Sequence, residues 1–392
     1  MQGRYRKLAS LAEVLHRDRT RGVFGRRTPR VALASVTATL AVAAVAFAPD
    51  YIQLLNSAAR TDHHELCGRP YKLAKPLAPQ RIFRDPGSRG IRALAFCSNG
   101  SVLAAADGNG HVYLWSMASH EIVAVLHDPA SKGVSAVAYR PRTRTLAAGD
   151  ANGSVYLWQP DRAQPRRLRD PRSKGVRALA FSPGGRFLAV ADANGHTYIW
   201  TMARRKIALT LHVARSGSVN GVTFNGAGTL IATGDASGDA NVWAFSGKPS
   251  AHLAADFRDP GSKGVDAVAF QPRTRTLAAA DKNGQAYLWP PGAQQPRVLT
   301  DAKPATMTAE RFTPSGKFLA TVDVASHLLF WDPASAKIIE LLPLHGSGAL
   351  RAVALSPDAR RLAAGDVEGR IFIADTTRVG INVVLTNNGT PG

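Results

Sequence analysis

The chain has 392 residues, of which 45% are hydrophobic and 20% charged, a globular composition that excludes a largely disordered protein. Its formal net charge of +21 favours anionic partners or surfaces, although a GC-rich genome would also enrich arginine. Residues 1–30 hold nine basic and two acidic residues, so the arm carries +7 and the rest of the chain +14. This spread argues against a single nucleic-acid patch, and we expect no nucleic-acid partner.

An uncharged segment, VALASVTATLAVAAVAFA, follows the basic arm from Val31 to Ala48. At about 1.5 Å per residue, a helix of this length crosses most of a bilayer core. We therefore predict a transmembrane helix over residues 31–49. The alternative is a cleaved signal peptide, for which Ala44-Val45-Ala46 offers a small-residue cleavage site.

The charges that flank this segment predict its orientation. Six arginines lie between residues 17 and 30, whereas Arg60 is the only Lys or Arg in the 15 or so residues after the segment. Positive flanks stay in the cytoplasm. The sequence thus predicts a cytoplasmic arm over residues 1–30, a linker over 50–78 and an extracytoplasmic remainder.

The two cysteines, Cys67 and Cys97, are too few for a disulfide framework and lack the paired spacing of a zinc site. Outside the cytoplasm they could form one disulfide bond, and two unpaired thiols are the simpler alternative. His63 and His64 precede Cys67 in the linker, but three candidate ligands there are weak evidence for a metal. We predict no metal and no cofactor.

A repeat of 42 to 46 residues fills the rest of the chain. Its first marker is an aromatic or large apolar residue, at Phe96, Tyr139, Phe181, Phe224, Phe270, Phe312 and Leu355. Nineteen residues later stand Trp115, Trp158, Trp200, Trp243, Trp289, Trp331 and Ala374. Eight residues before each of these stand Asp107, Asp150, Asp192, Asp235, Asp281, Asp323 and Asp366.

Each repeat has the pattern of short strands separated by turns, such as VRALAF, SPGGR, FLAVA, DANG and HTYIW. In the D-x-N-G turns, the Asp side chain can bond its own backbone two residues on, and Gly takes the positive φ of a tight hairpin. First strands that are apolar on both faces suit an inner position. Fourth strands such as KIALTLH alternate and suit an outer edge. The chain is therefore predicted to be all-β, with a four-stranded meander in each repeat.

These spacings, the turn Asp and the Trp that ends the third strand resemble the WD-repeat family over residues 79–386, leaving a tail at 387–392. The resemblance implies a monomeric seven-bladed β-propeller and, with the anchor, a bacterial-type membrane-bound member. Two features depart from the family: only Trp331-Asp332 keeps the Trp-Asp pair, and the Gly-His pair whose His bonds the turn Asp is missing. Residues 80–86 or residues 381–385 are expected to complete the last blade.

A repeated loop stands where the family has Gly-His: DPGSRG, DPASKG, DPRSKG and DPGSKG. We expect these loops to share one face with the D-x-N-G turns, so that Arg89, Lys132, Lys174 and Lys263 form a partial cationic crown around the central channel. Such a crown suits a carboxylate, a phosphate or an acidic peptide. The alternative is that each cation pairs with the nearby turn Asp, as Lys132 with Asp150.

No GxSxG elbow, HExxH, phosphate loop or CxxCH site is found in the sequence, so we predict a protein that is not an enzyme. The resemblance implies a scaffold that binds other proteins through its loop face, and the cationic crown suits acidic ones. Two alternatives remain: a propeller enzyme of the lactonase or quinone-cofactor type, and a binder of anionic envelope polymer or lipid. Blade six departs most, because Glu310 replaces Leu or Val and its turn lacks Gly.

Overall fold

A computed structural model describes residues 89–127, 131–160, 162, 164–170, 172–247, 250–258, 261–301, 304–344, 347–376 and 380–386. At Asp375 and residues 380–386 it describes the backbone alone. The basic arm, the predicted membrane segment 31–49, the linker with Cys67 and the tail lie outside these residues. Within the described part of the chain, no helix is long and apolar enough to span a bilayer.

The described residues form seven antiparallel sheets of four strands each, and this confirms the predicted all-β propeller with seven blades. The strands of blades one to four are β1 Ile91–Phe96, β2 Val102–Asp107, β3 His111–Ser116, β4 Ile122–His127, β5 Val134–Tyr139, β6 Leu146–Asp150, β7 Ser154–Trp158, β8 Arg166–Arg169, β9 Val176–Phe181, β10 Phe187–Asp192, β11 His196–Thr201, β12 Lys206–His212, β13 Val219–Phe224, β14 Leu230–Asp235, β15 Asp239–Phe245 and β16 Ala251–Arg258.

The strands of blades five to seven are β17 Val265–Phe270, β18 Leu277–Asp281, β19 Gln285–Trp289, β20 Arg297–Thr300, β21 Met307–Phe312, β22 Leu319–Asp323, β23 His327–Asp332, β24 Lys337–Pro343, β25 Leu350–Leu355, β26 Arg361–Asp366, β27 Arg370–Asp375 and β28 Gly380–Thr386. Within every blade the strands pair in sequence order. Blade three shows how closely the pattern predicted the strands, since VRALAF, FLAVA and HTYIW fall in β9, β10 and β11.

The position of each strand in its blade follows from its side chains. Second strands such as β10 are buried along their whole length, because they have neighbours on both edges and both faces. Fourth strands alternate between exposed and partly buried residues, as β24 does, and they form the outer edge of the ring. The alternation seen in the sequence therefore identified the outer strands correctly.

The hydrophobic core is divided among the seven seams between neighbouring blades. Each seam holds one cluster of buried apolar side chains, and the clusters join successive blades around the whole ring. Trp115 and Trp331 are 1% and 0% exposed in two of these seams. Burying an apolar side chain of the size of Leu or Phe contributes about 1.5–3 kcal/mol. Stability thus depends on the packing of each blade against the next.

The ring closes where blade seven meets blade one. Ile91 packs in one cluster with Ile371 and Ile373, and a Cβ placed on Gly365 would lie 2.5 Å from the Cγ2 of Ile91. The outer strand of blade seven is β28, which pairs antiparallel with β27. Of the two candidates for this place, the structure therefore uses the segment that contains residues 381–385, whereas residues 80–86 lie outside the described part.

Candidate binding face

The end of the ring that carries the D-x-N-G turns and the loops between blades is called the upper face here, and the opposite end the lower face. In all seven blades the residue after the turn Asp donates its N–H to a carbonyl in the loop that enters the blade, at 2.9–3.2 Å. The acceptor and donor pairs are Gly90–Gly108, Gly133–Ala151, Gly175–Ala193, Ser218–Ala236, Gly264–Lys282, Thr306–Val324 and Ala349–Val367. The structure thus brings loops and turns together, as the repeat predicted.

The seven turn aspartates lie under this face and are between 0% and 2% exposed. In most blades one carboxylate oxygen accepts two backbone N–H groups of the same hairpin. The Oδ1 of Asp107, for example, accepts from Asn109 and His111, both at 2.9 Å. These bonds close the turn and start the third strand, so each carboxylate acts as a cap for its hairpin.

The second carboxylate oxygen has different partners in different blades. In blade three, the hydroxyl of Ser173 in the DPRSKG loop donates to the Oδ2 of Asp192. In blade four, the hydroxyl of Ser216 donates to the Oδ2 of Asp235 at 2.5 Å. A loop serine in these two blades therefore occupies the role that the loop histidine has in the family.

In blades six and seven a side chain of the hairpin itself contacts the second carboxylate oxygen of the turn Asp. The Nδ1 of His327 lies 3.0 Å from the Oδ2 of Asp323, and the Nε of Arg370 donates to the Oδ2 of Asp366 at 2.8 Å. Blade seven adds the N–H of Gly348 as a second donor to that oxygen at 3.2 Å. In these two blades a hairpin side chain therefore supplies a partner for the second oxygen, and in blade seven the loop adds a backbone donor.

The alternative, in which the crown cations pair with the turn aspartates, is not seen among the described residues. Lys132 makes no ion pair with Asp150, and no described residue forms one with any of Arg89, Lys132, Lys174 or Lys263. All four side chains are exposed. In the blade that Lys174 enters, Ser173 takes the place of the cation at the turn Asp. The four cations extend into solvent on the upper face.

An inner ring of polar residues, which the sequence reasoning missed, surrounds the channel below the crown. Each blade has a β-bulge four residues before its aromatic or apolar marker. In blades two, four and six this residue is Ser135, Asn220 or Thr308. Its side chain donates to a backbone carbonyl at the start of the next inner strand, as the hydroxyl of Thr308 does to Leu350 at 2.7 Å. These bonds link neighbouring inner strands directly.

In the other four blades the bulge residue is charged: Arg92, Arg177, Asp266 and Arg351. The three arginines are exposed, and none forms an ion pair within the described residues. The Oδ1 of Asp266 lies 3.6 Å from the Nζ of Lys282. Burial raises the pKa of Asp266, while Lys282 and then Arg351 act to lower it. The upper mouth of the channel therefore has excess positive charge that adds to the crown.

The predicted disulfide between Cys67 and Cys97 remains a prediction, because Cys67 lies outside the described residues. Cys97 is fully buried at the end of β1, where its sulfur lies 2.9 Å from the Oδ1 of Asn99. Glu310 is also buried. In the part of the chain that the structure describes, no group of three or more His, Cys, Asp or Glu side chains is arranged to hold a metal ion.

Comparison with protein families matches four stretches of the chain to the WD domain, G-beta repeat. They cover residues 78–116, 121–159, 164–201 and 205–244. These four repeats are similar to the WD40 family, and the described residues form a seven-bladed β-propeller. In the structure, blades five to seven repeat the same four-stranded order and the same turn Asp as the matched blades. No curated protein matches the sequence.

Proposed function

We propose that this WD40 propeller is a membrane-anchored scaffold whose upper face binds an acidic segment of another protein. The observation that carries the proposal is the set of cations on that face that are exposed and form no ion pair with a described residue, namely the crown of Arg89, Lys132, Lys174 and Lys263 and the three inner-ring arginines. Guanidinium and ammonium groups that lack a carboxylate partner favour anionic ligands. The proposal is for a binding protein and assigns it no catalytic step.

The rigidity of the loops supports a binding role for this face. Each loop is hydrogen-bonded to the turn beside it, and Gly133 and Gly264 hold φ values of 114° and 121° next to the lysines. The cations are therefore attached to a fixed backbone, so a partner pays little entropy to order the surface that it meets. Positive potential around a channel mouth also speeds the encounter with an acidic partner.

The experiment that tests this proposal is cross-linking in the cells that make the protein, followed by identification of what is captured. The variant reverses three crown charges, as Lys132→Glu, Lys174→Glu and Lys263→Glu. The matched control reverses Arg142, Arg273 and Arg275, three exposed cations in turns on the lower face. We expect the crown variant to lose the captured partner and the control to keep it. Equal capture by both variants contradicts the proposal.

Salt dependence separates a protein partner from the alternative of anionic polymer or lipid. Exposed charge pairs are screened over about 10 Å at 0.1 M salt. Binding that disappears uniformly with salt, and that the lower-face control also weakens, indicates bulk attraction to a polyanion. Binding that persists at high salt and depends on the crown indicates a specific protein interface.

The membrane anchor is part of the proposal and is supported by the uncharged segment 31–49 and its arginine-rich flank. We expect the full chain to remain in membranes after washing at alkaline pH and a chain that starts at residue 50 to be released. A reporter fused to the C-terminus is expected to be active outside the cytoplasm. Release of the full chain by the wash would argue against the anchor.

A further inference from the structure

The lower end of the central channel contains a cavity of about 370 Å³. It lies between the ends of the inner strands and the turns that follow them, on the face opposite the crown. Its walls come from blades one, two, three, four, six and seven. Five aromatic markers are among the lining residues, namely Phe96, Tyr139, Phe181, Phe224 and Phe312. Cavities of this size bind small molecules or single side chains.

Arg311 is the one charged residue among the described residues that line this cavity. The equivalent residues, each directly before the marker, are Ala95, Ala138, Ala180, Thr223, Ala269 and Ala354. The side chain of Arg311 reaches the solvent space of the channel, although protein surrounds that space. No ion pair to Arg311 is found within the described residues. One blade thus places a guanidinium where the others place a methyl group or a small hydroxyl.

Glu310 does not neutralise this cation through a direct contact. Its side chain is 3% exposed, and neither of its carboxylate oxygens has a hydrogen-bond partner. Consecutive strand residues point to opposite sides, and the positions equivalent to Glu310 face the seams between blades. Burial also raises the pKa of Glu310 well above its usual range, which favours the neutral acid. Arg311 therefore retains its charge, and it has no acidic partner among the residues that the structure describes.

The side chain of Arg311 is exposed to the solvent of the channel, so an anion that enters the channel can reach the guanidinium. Desolvation by the surrounding protein lowers the pKa of Arg311, and Glu310 opposes that effect, but a guanidinium stays protonated in proteins. A ligand carboxylate would form a paired, charge-assisted hydrogen bond with it. Thr223 also lines the cavity and can bond the rest of a ligand.

We infer that this lower cavity is a binding site for a carboxylate carried on an aromatic or branched apolar body, with Arg311 as its anchor. The aromatic wall receives the apolar body, and the guanidinium receives the carboxylate in a bidentate pair. The same chemistry occurs in a free small acid and in the C-terminal residue of a peptide. This site is separate from the upper face, and the inference does not depend on the function proposed for that face.

Isothermal titration calorimetry on the folded protein tests the site with four probes. They are 3-phenylpropionate, its neutral amide, and a five-residue peptide ending in Phe with either a free or an amidated C-terminus. We expect 3-phenylpropionate to bind at least tenfold more tightly than its amide. Binding by the free-ended peptide would show that a chain terminus is also accepted, and binding by the small acid alone would show that the source is a free acid. Failure of both acids to bind overturns the inference.

The decisive variant is Arg311→Ala, because alanine is the residue that most other blades have at this place. We expect it to weaken 3-phenylpropionate at least tenfold. The matched control is Lys317→Ala, which removes an exposed cation from the next turn of the same blade outside the cavity, and it is expected to change affinity less than twofold. If the alanine variant unfolds, Arg311→Met keeps the side-chain length and takes its place. If the Arg311 variant and the Lys317 control lose affinity for 3-phenylpropionate equally, or if neither loses any, the role of Arg311 as the anchor is contradicted.

Discussion

The hydroxyl of Ser216 donates to the Oδ2 of Asp235 at 2.5 Å and so joins the loop that enters blade four to the hairpin of that blade. The same carboxylate holds Ser237 and Asp239 through its other oxygen, at 2.9 and 3.1 Å. One buried side chain therefore connects three segments of the upper face. In blade three Ser173 supplies the same bond to Asp192, so Lys174 of that DPRSKG loop is not needed for it and stays exposed.

Removing the hydroxyl is expected to destabilise the propeller. Ser216→Ala leaves one oxygen of the buried Asp235 without its donor, which costs about 1–3 kcal/mol for a bond to a charged group. Chemical denaturation of the purified propeller measures the change in the free energy of unfolding. The matched control is Ser119→Ala, in an exposed turn of blade one, and it should change stability by less than about 0.5 kcal/mol. Similar losses in both variants would contradict this role of the loop serine.

The sequence predicted the fold well because the repeat is strict. Three markers at constant spacing locate the inner strand, the hairpin and the third strand in each blade. Hydrogen bonding within the blade then leaves little freedom in where the other strands can lie. The alternation of KIALTLH was enough to place β12 at the outer edge. The outer strand of blade seven could not be chosen, because residues 80–86 and 381–385 have equally suitable patterns.

The site was predicted only in part. Loop and turn positions follow from the topology of a meander, so the crown was placed on the correct face. The partner of each turn Asp depends on side-chain reach, which spacing does not give: Ser173, and not Lys174, bonds Asp192, and Ser216 bonds Asp235. Arg311 was not predicted, although an arginine among alanines at one repeat position was a visible signal.

A second prediction compares two aspartates of blades six and seven. Asp366 is fully buried and accepts from two backbone N–H groups of its hairpin, from Gly348 and from the Nε of Arg370. Asp366→Ala leaves all of these donors unpaired and is expected to cost at least about 3 kcal/mol. Asp332 forms the one Trp-Asp pair of the chain but bonds only in an exposed turn, where Ser335 lowers its pKa.

The measurement for this pair is the midpoint of urea unfolding of Asp366→Ala and Asp332→Ala. We expect a large shift for the first variant and a small one for the second, because the solvent already hydrates Asp332. A larger loss at Asp332 would mean that the Trp-Asp pair, and not the hairpin cap, holds the blade together.

A third prediction concerns pH and Glu310. The seam position is occupied by Leu or Val in the other blades, so Glu310→Leu should raise the free energy of unfolding by about 1–3 kcal/mol at neutral pH. Burial raises the pKa of Glu310 in the folded state above its ordinary value of 4.5. At a pH above 4.5, Glu310 loses its proton in the unfolded chain but keeps it in the folded protein. The stability of the wild type therefore falls as pH rises from about 4.5 toward the folded pKa.

Unfolding experiments from pH 4 to pH 8 separate this effect from general titration of the protein. The difference in the free energy of unfolding between Glu310→Leu and the wild type should increase with pH across that window. Glu310→Gln should show the same pH trend, because it also removes the ionisable group. A gain that is constant with pH, or that decreases, would show that the carboxyl is not held in its neutral form.

A fourth prediction tests the closure of the ring. Because β28 pairs with β27 as the outer strand of blade seven, a chain that ends before Gly380 exposes the edge of β27 to solvent and to other chains. We expect a lower unfolding temperature and concentration-dependent aggregation, followed by light scattering. A chain that ends after Thr386 removes only residues 387–392 and should behave as the full protein. A chain that lacks residues 79–88 should keep blade seven intact; if it aggregates as the first truncation does, the N-terminal segment also contributes to the closure.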